Sequence, residues 1–292
     1  GGSPGMRLET FCEESFEFRT VVDPIATFNY QPLPEQPVIK IVPGKPSHYV
    51  AVVPTLRRVN EDFALKLKGE DKWGNPSDQC DVTYRLNSNV PVNNLPETVT
   101  FTPGEFAVEV PGLSVGQAGD VEIELLDDAG QVVTRANPLR IVEQTDLIPF
   151  WADLHGQSEE SIGTGSADEY FAFARDRAFV DATGHQANDF QVTNGFWSDL
   201  DRLAVKFEEA DKFVVLPGYE WSGNTGMGGD RNVYYATEDR QIRRSSHALI
   251  EDKSDLDTDC NTAAELFEAL ADNKEWDVVC FAHCGGRYAD VK

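Results

Sequence analysis

The chain has 292 residues, of which 40% are hydrophobic, and its 50 acidic against 25 basic residues give a formal net charge of −25 at pH 7. That length suits one large domain or two ordinary ones, and the apolar content is typical of a packed core rather than a disordered chain. So large an acidic excess argues against nucleic acid as a partner, because a polyanion is bound by clustered lysine and arginine. By itself, the high charge is most simply interpreted as a solubility device.

The cysteine content indicates the compartment of the protein, and the hydropathy indicates whether the chain crosses a membrane. The five cysteines are odd in number and lack the spacing of a metal knuckle, which favours reduced thiols and a cytoplasmic protein. A pairing of Cys12 with Cys80 in an oxidising compartment stays open. No apolar run is long enough to cross a bilayer, so no membrane partner is expected. Residues 1–5, GGSPG, are expected to be an expression scar before a native Met6, and a signal peptide removed upstream is compatible with the sequence.

The first half of the chain has the period of β-strands. In the segment DFALKLKGEDKWGN, Phe63, Leu65 and Leu67 fall on one face, and later segments repeat this alternation between turns that contain Gly, Pro and Asn. Short strands between such turns are typical of an antiparallel β-sandwich. We therefore predict an immunoglobulin-like sandwich over residues 6–146, which serves as an accessory or oligomerising module.

From residue 147 to residue 292 the pattern changes to strands that alternate with helices. Ser166 suits the N-cap of an amphipathic helix, and Glu169 is placed for a capping box. Strands that alternate with helices indicate a parallel sheet or a barrel, whose active site lies at the C-terminal ends of the strands. The predicted strands span residues 149–156, 179–186, 212–223, 231–237 and 276–287, and the predicted helices span residues 166–178, 196–210 and 262–273.

Four of these strands end in side chains that bind metals. These residues are His155, His185, Glu220 and His283. Purely structural histidines would have no reason to share the ends of successive strands, whereas the C-terminal ends of barrel strands converge on one mouth. Imidazole and carboxylate groups there could hold Zn²⁺, Mn²⁺ or Fe²⁺ and leave a coordination position for water. The strand ends therefore predict a divalent metal site.

Four segments of this half carry a resemblance to a known family: DLHGQ, GHQAND, PGYEWSGNTGMGGDRNVYY and FAHCGGRYAD. Together they resemble the PHP superfamily, named for polymerase and histidinol phosphatase. They are more similar still to a PHP-related bacterial family of unknown function in which a β-sandwich precedes the PHP domain. The resemblance implies a distorted (β/α)7 barrel that binds two or three metal ions and, in most members, hydrolyses phosphoesters.

The resemblance also implies roles for individual residues. It matches His155 with the first His of a His-x-His pair and His185 with the His of a Thr-Asp-His segment. It matches Glu220 with a bridging carboxylate and His283 with a later metal-binding His. Gln157 stands where the second His of the pair is expected, Gly184 replaces the Asp before His185, and Asp230 occupies a position where many members have His. Both Asp and the Gln carbonyl can coordinate a metal, so Asp230 and Gln157 are second-rank ligands. We expect a reduced or rearranged metal set.

The chain is shorter than the resemblance requires. It holds about four strand–helix units, roughly the first half of a PHP-like (β/α)7 barrel. We therefore expect residues 147–292 to be the N-terminal part of such a barrel, with its other half missing from this sequence or supplied by another chain. A homo-oligomer is a further candidate arrangement, because an isolated half-barrel would expose strand edges.

The function expected of the parent protein is hydrolysis of a small-molecule phosphoester by a metal-activated water. Arg231 and Arg287 each follow a glycine-rich turn, where a guanidinium could bind a phosphate with two hydrogen bonds or form a surface salt bridge. Asp189 could act as a base, orient His185 or cap a helix. His247 could line the mouth of the site from a loop and contact substrate, or simply be exposed.

Three alternatives stay open at this stage. A metal-bound hydroxide on a barrel also hydrolyses amides and lactones, and nothing in the sequence selects among these substrates. The barrel could also be degenerate and bind a ligand or partner without catalysis, as the Gln157 and Gly184 departures and the short chain suggest. The sandwich itself could be a module that binds carbohydrate or a partner.

Overall fold

The computed structural model describes residues 5–223, 229–272 and 277–283. The chain divides into two compact units, Gly1–Pro149 and Phe150–Lys292, and each is described by itself. Within the described residues, no helix combines the length and the apolar character that crossing a bilayer requires.

The described part of the first unit consists of β-strands and their connections. The strands are β1 (Glu13–Glu17), β2 (Val21–Val22), β3 (Gln31–Pro32), β4 (Val38–Ile41), β5 (His48–Val52), β6 (Leu56–Arg58), β7 (Phe63–Glu70), β8 (Val82–Ser88), β9 (Thr98–Phe101), β10 (Val108–Leu113), β11 (Gly119–Val121), β12 (Ile123–Leu126), β13 (Val132–Arg135) and β14 (Leu139–Val142). β1 pairs with β4 and β2 pairs with β3 in two small two-stranded sheets.

Three larger sheets surround the core of this unit. Their strand orders are β10-β7-β5, β11-β14-β6 and β13-β12-β8-β9, and pairing is antiparallel except between β14 and β6. Phe63, Leu65 and Leu67 of β7 are buried, as their period-two spacing predicts. They share one apolar core with Leu125 of β12 and Ile141 of β14. The sheets therefore pack as a β-sandwich, and the predicted all-β character of this unit is confirmed.

The second unit contains six strands and three α-helices within its described residues. They are β15 (Ala152–Gly156), α1 (Ala167–Phe173), β16 (Ala182–His185), α2 (Asn194–Phe207), β17 (Val214–Val215), β18 (Gly218–Trp221), β19 (Arg231–Tyr235), α3 (Ala263–Asp272) and β20 (Val278–Ala282). A π-helical turn, Ala174–Ala178, follows α1, and short 3-10 turns span Asp189–Gln191 and Leu256–Thr258.

Each of the three helices begins at a polar residue that caps its free backbone N–H groups. The Ser166 hydroxyl accepts from the Glu169 amide and the Glu169 side chain accepts from the Ser166 amide, so the predicted capping box is confirmed. Thr193 caps α2 through its side chain. Thr262 and Glu265 exchange the same pair of bonds ahead of α3. Local sequence therefore decides where these helices start.

The predicted fold class of this unit, the first half of a PHP-like (β/α)7 barrel, is wrong. The described strands form small sheets, β15-β16-β17 in parallel and β18-β19-β20 in antiparallel order, and they do not form a barrel wall. The reason is the short connection between β18 and β19. Only residues 222–230 join them, which is too short for the crossover that a parallel partner needs. β19 therefore returns antiparallel to β18, and strand exceeds helix over the described chain.

The directions of the strands nevertheless place several C-terminal strand ends along one edge of this unit. β15, β16 and β17 are parallel, and a parallel bridge between Asn188 and Glu220 continues this arrangement to β18. β20 is antiparallel to β19 and so runs in the direction of β18. The C-terminal ends of β15, β16, β18 and β20 therefore lie along one edge, together with the start of β19. This edge positions the candidate site.

Candidate metal centre

Three side chains converge at the edge formed by these strand ends. His155 lies on β15, Glu220 on β18, and His283 directly follows β20; one potential ligand atom from each lies within 4.8 Å of the others. His155 Nε2 is 3.6 Å from Glu220 Oε2, and His283 Nδ1 is 3.7 Å from Glu220 Oε1. The two imidazole rings stack with their centroids 4.4 Å apart. We call these three residues the His–Glu–His cluster.

The donor set and its spacing fit a divalent metal ion. Two imidazoles and one carboxylate are a known three-ligand set for zinc, with metal–ligand bonds of about 2.0–2.2 Å. Tetrahedral bonds of that length place neighbouring ligand atoms roughly 3.4 Å apart, close to the separations of 3.6 and 3.7 Å in the cluster. The His–Glu–His cluster could therefore hold Zn²⁺, Mn²⁺ or Fe²⁺ with small adjustments of its side chains.

Asn232 determines which nitrogen of His155 is available to a metal. Its side-chain oxygen lies 3.1 Å from His155 Nδ1. An amide oxygen only accepts hydrogen bonds, so Nδ1 carries the proton and the lone pair resides on Nε2, the nitrogen that faces Glu220. Asn232 lies on β19, directly opposite Glu220 in the strand register. The β18–β19 hairpin therefore supplies both a candidate ligand, Glu220, and the amide that contacts His155.

Asn188 holds the carboxylate of Glu220 in a comparable way. Its Nδ2 donates to Glu220 Oε2 and to Ser222 Oγ, each at 3.0 Å. The backbone bridge between Asn188 and Glu220 keeps the two residues in register. His155 and Glu220 thus each have an amide side chain beside them, which limits rotation of these two side chains.

The electrostatics of the cluster also favour a cation. Burial, together with the negative charges of Asp230 and Asp189, raises the pKa of Glu220 to about 7. Burial and the nearby His283 lower the pKa of His155. Burial likewise raises the pKa of Asp230. A bound divalent ion would offset the repulsion among these carboxylates and would select the neutral imidazole.

The raised pKa of Glu220 predicts a pH dependence of metal affinity. Below about pH 7 the Glu220 carboxyl holds a proton that the metal must displace, whereas the lowered pKa of His155 keeps that ring neutral. We therefore expect affinity for Mn²⁺ to fall by up to about tenfold for each pH unit below 7. Calorimetric titration of the chain with MnCl₂ between pH 8 and pH 6 measures this. An affinity that stays constant over that range would contradict the assignment of Glu220 as a ligand.

His185, predicted as a metal ligand, lies outside the His–Glu–His cluster. Its Nε2 is 2.7 Å from the hydroxyl of Ser158, and its ring is buried among Tyr170, Phe171 and Phe196. Burial, with a smaller contribution from His155, lowers the pKa of His185 to about 4, so the ring is neutral. Its Nδ1 has no hydrogen-bond partner within the described residues. His185 therefore lies beside the cluster, but its Nε2 is hydrogen-bonded to Ser158.

The two second-rank ligands occupy different surroundings. Gln157 accepts a hydrogen bond from the hydroxyl of Ser161 through Oε1, the oxygen that would coordinate a metal. Asp230 is half-buried, and its backbone oxygen accepts from the His283 amide at 3.0 Å. Asp230 is therefore adjacent to the cluster, whereas the Gln157 oxygen is already engaged.

Of the two arginines that are predicted to bind phosphate, the structure describes Arg231. Arg231 is buried, its Nη1 donates to the Asp230 carbonyl, and its guanidinium carbon lies 6.0 Å from the ring centre of Phe267 on α3. Successive strand residues face opposite sides of a sheet, so Arg231 faces away from the side that carries Asn232. Arg287 lies outside the described residues. Substrate binding by either arginine stays a prediction.

Asp189 joins two loops behind the cluster. Its carboxylate accepts hydrogen bonds from the backbone amides of Ser222, at 2.8 Å, and Ser245. It is fully buried, and burial raises its pKa to about 6 despite those bonds. The N-cap of α2 is Thr193 rather than Asp189. The geometry assigns Asp189 to positioning the segment after Glu220, and its role as a base stays a prediction.

His247, predicted to contact substrate, lies in a buried ionic cluster. Its Nδ1 is 2.7 Å from Asp259 Oδ2, and its Nε2 is 2.9 Å from Asp255 Oδ1. Arg244 binds the other oxygen of Asp255 at 2.5 Å. Only 2% of the His247 side chain is exposed, so both ring nitrogens are used within the protein. We call these four residues the Arg244 network.

Sequence reasoning missed the amide residues around the cluster. Asn188 and Asn232 carry no charge, and although they lie within the segments GHQAND and PGYEWSGNTGMGGDRNVYY, the resemblance gave them no role, so only their positions could have signalled them. Asn188 lies three residues beyond the predicted strand-end His185, and Asn232 lies on the strand next to Glu220. Knowledge of which strands pair is needed to see that both reach the cluster.

Comparison with known proteins identifies distant similarity only. No family model matches the chain. An uncharacterized protein of Chlamydia pneumoniae is 22% identical over 241 residues, which make up 80% of this chain and 38% of that protein. The chain therefore spans well under half the length of this curated relative. Among solved structures, the D00-D0 domain of Intimin matches 37% of this chain and 56% of its own, at 12% identity and a TM-score of 0.26. These likenesses assign no family and no reaction to the chain.

Proposed function

We propose that the second unit binds a divalent transition metal through the His–Glu–His cluster and uses it to hydrolyse a phosphoester. The observation that carries the proposal is the convergence of His155, Glu220 and His283 at one edge of the strands. The resemblance of DLHGQ, GHQAND and the two later segments to the PHP superfamily supports a phosphoester as the substrate class. The proposal needs no barrel, because the antiparallel β19 brings the same strand ends together.

The exposure of the ligands favours a catalytic over a structural metal. Structural zinc sites use four protein ligands and are closed, whereas catalytic sites keep a position open. Within the described residues the cluster supplies three ligands. The side chains of His155 and His283 are 34% and 28% exposed, while Glu220 is 7% exposed. A small substrate could therefore approach the two histidines from solvent while the carboxylate stays shielded.

Each residue of the proposed site has a separate role. His155, Glu220 and His283 hold the ion; Asn232 fixes the proton on His155 Nδ1, and Asn188 orients Glu220. A divalent ion held there would supply a Lewis acid that polarises a phosphoryl oxygen and acidifies water. Asp230 lies close enough to affect Glu220 electrostatically, and it is a candidate to assist a proton transfer.

A substrate screen tests this proposal. The purified chain is loaded with Zn²⁺, Mn²⁺ or Fe²⁺ and assayed on p-nitrophenyl phosphate, bis-p-nitrophenyl phosphate, a p-nitroanilide and an aryl lactone. We expect metal-dependent turnover of a phosphoester that is lost in Glu220→Gln and retained in His48→Gln, a histidine of the first unit. Turnover of only the amide or lactone would overturn the substrate class, and equal turnover by Glu220→Gln would overturn the site.

The hydrogen bonds of two predicted metal ligands favour a second candidate function, the binding of a ligand or partner without catalysis. The Nε2 of His185 and the Oε1 of Gln157 are bonded to serine hydroxyls and so do not complete a larger metal set. A chain that binds one metal but turns over none of the four substrates would support a non-catalytic protein that binds a ligand or partner through its metal.

A further inference from the structure

A cavity in the first unit lies beside a half-exposed tryptophan. Its volume is about 400 Å³, within the roughly 300–1,000 Å³ of small-molecule sites. Trp73 lines it and is 47% exposed. An exposed indole beside a cavity provides a flat apolar surface on which a ligand can stack. This cavity belongs to the β-sandwich and plays no part in the metal site proposed for the second unit.

The turn that presents Trp73 is rigidly built around Asp71. The Asp71 carboxylate accepts hydrogen bonds from the backbone amides of Gly44, Trp73 and Asn75 at 2.8–3.1 Å, and from the Asn75 side chain. Burial alone would raise the pKa of Asp71, but these hydrogen bonds, led by Asn75, lower it to about 2. Gly74 completes the turn with a φ of +88°, a conformation that other residues rarely adopt. The position of the indole is therefore largely set before any ligand binds.

The cavity is lined by two lysines, Lys45 and Lys72, and by two carboxylates, those of Glu9 and Asp71, and the Asp71 carboxylate is already engaged by its hydrogen bonds within the turn. Lys72 Nζ lies 4.9 Å from the centre of the Trp73 ring, and the Arg7 guanidinium lies 5.5 Å from it. Several basic side chains elsewhere in this unit bind carboxylates, as Arg140 does with Asp120. Within the described residues none of the three cations near Trp73 has a carboxylate within 4 Å. Arg7 and Lys72 lie over the Trp73 ring, and their donor groups, like that of Lys45, are not paired with a carboxylate that the structure describes.

We propose that this cavity binds an acidic saccharide, one that carries a carboxylate or a sulfate. The Trp73 ring would pack against the C–H face of a sugar ring, and Lys45 and Lys72 would pair with the acid group. Glu9 and Ser47 also line the cavity and would accept hydrogen bonds from sugar hydroxyls. A bare inorganic anion would gain nothing from the indole, whereas an acidic sugar would gain both the packing on Trp73 and the pairing with the lysines, which is why a sugar is the better fit.

Calorimetric titration of the full chain with four probes tests the proposal. The probes are trigalacturonate, a sulfated chondroitin disaccharide, neutral galactotriose and sodium sulfate. We expect one of the two acidic saccharides to bind with a Kd below about 1 mM, at least tenfold more tightly than the neutral sugar or sulfate. Tighter binding of trigalacturonate would identify the carboxylate as the acid group; tighter binding of the chondroitin disaccharide, which carries a carboxylate as well as a sulfate, would show that the sulfate adds to the affinity. Trp73→Ala and the double variant Lys45→Ala/Lys72→Ala are each expected to weaken that binding at least tenfold.

Three further variants separate binding in the cavity from general effects on the protein. Trp151→Ala removes an indole that is 62% exposed in the second unit and should leave the affinity unchanged, as should Glu220→Gln. Trp73→Phe keeps an aromatic ring and should retain much of the binding. Binding that persists in Trp73→Ala, that is matched by galactotriose or sulfate, or that is absent for both acidic saccharides would overturn the proposal. None of these outcomes depends on metal or on hydrolysis.

Discussion

Glu220→Gln is expected to strip the purified chain of divalent metal, and His155→Ala is expected to do the same. Glu220 is the residue that both histidines face, and glutamine keeps its shape while removing the charge that attracts the ion. Loss of a residue that only orients a ligand typically costs 10–100-fold in metal affinity, so loss of the carboxylate itself should cost at least about 100-fold. Elemental analysis of metal per chain, followed by calorimetric titration with Mn²⁺ and Zn²⁺, measures the effect.

Matched variants determine which residues belong to the site. Asn232→Ala should weaken metal binding less than His155→Ala, since it frees the ring without removing the ligand nitrogen. His48→Ala, in the first unit, should leave metal content unchanged. Full metal content in both Glu220→Gln and His155→Ala would show that the cluster does not bind the ion, and the proposed hydrolase would lose its basis.

Arg244→Met is expected to destabilise the second unit by about 3–5 kcal/mol, the usual cost of breaking a buried ion pair by removing one partner. The Arg244 side chain is fully buried and binds the Val192 carbonyl at 3.0 Å, the Asn194 side chain at 2.7 Å and Asp255 at 2.5 Å. Methionine fills much of the same volume but leaves all three acceptors without their donor. Urea unfolding followed by circular dichroism measures the change in free energy.

Arg175→Met provides the comparison. Arg175 pairs with the exposed Asp176 on the surface of the same unit, so its loss should cost less than about 1 kcal/mol. Equal destabilisation by the two variants would show that the Arg244 network contributes no more than a surface pair. Because Ser245 follows Arg244 and donates to Asp189, the Arg244 variant should also weaken metal binding, whereas the Arg175 variant should not.

Local features of the chain were predictable because neighbouring residues alone decide them. The alternation of Phe63, Leu65 and Leu67 places one face of a strand in the core whatever its partners are. The capping box of Ser166 and Glu169 satisfies backbone groups within one turn, so it forms wherever that helix forms. The strand ends that carry His155, Glu220 and His283 could be recognised for the same reason, since each lies at the end of an apolar run.

The architecture of the second unit was predicted wrongly because alternation of strands and helices does not determine strand direction. The helical crossovers after β15 and β16 produce parallel pairs, as expected. The short link after β18 instead forces β19 to return antiparallel, and this breaks the repeat on which a barrel depends. Three of the four strand-end residues still meet, because β20 reverses direction once more and restores the shared edge.

By itself, the sequence determined the two-part organisation, the sandwich strands, the helix starts and the residue types that could hold a metal. All of these follow from patterns within a few residues. Only the tertiary structure decided that His155, Glu220 and His283 meet while His185 turns to Ser158, and that Asn188 and Asn232 hydrogen-bond Glu220 and His155. It also decided that Lys45 lines the same cavity as Lys72 and Trp73. Such contacts join residues far apart in the chain, and their formation depends on strand pairing and register, which one-dimensional periodicity does not encode.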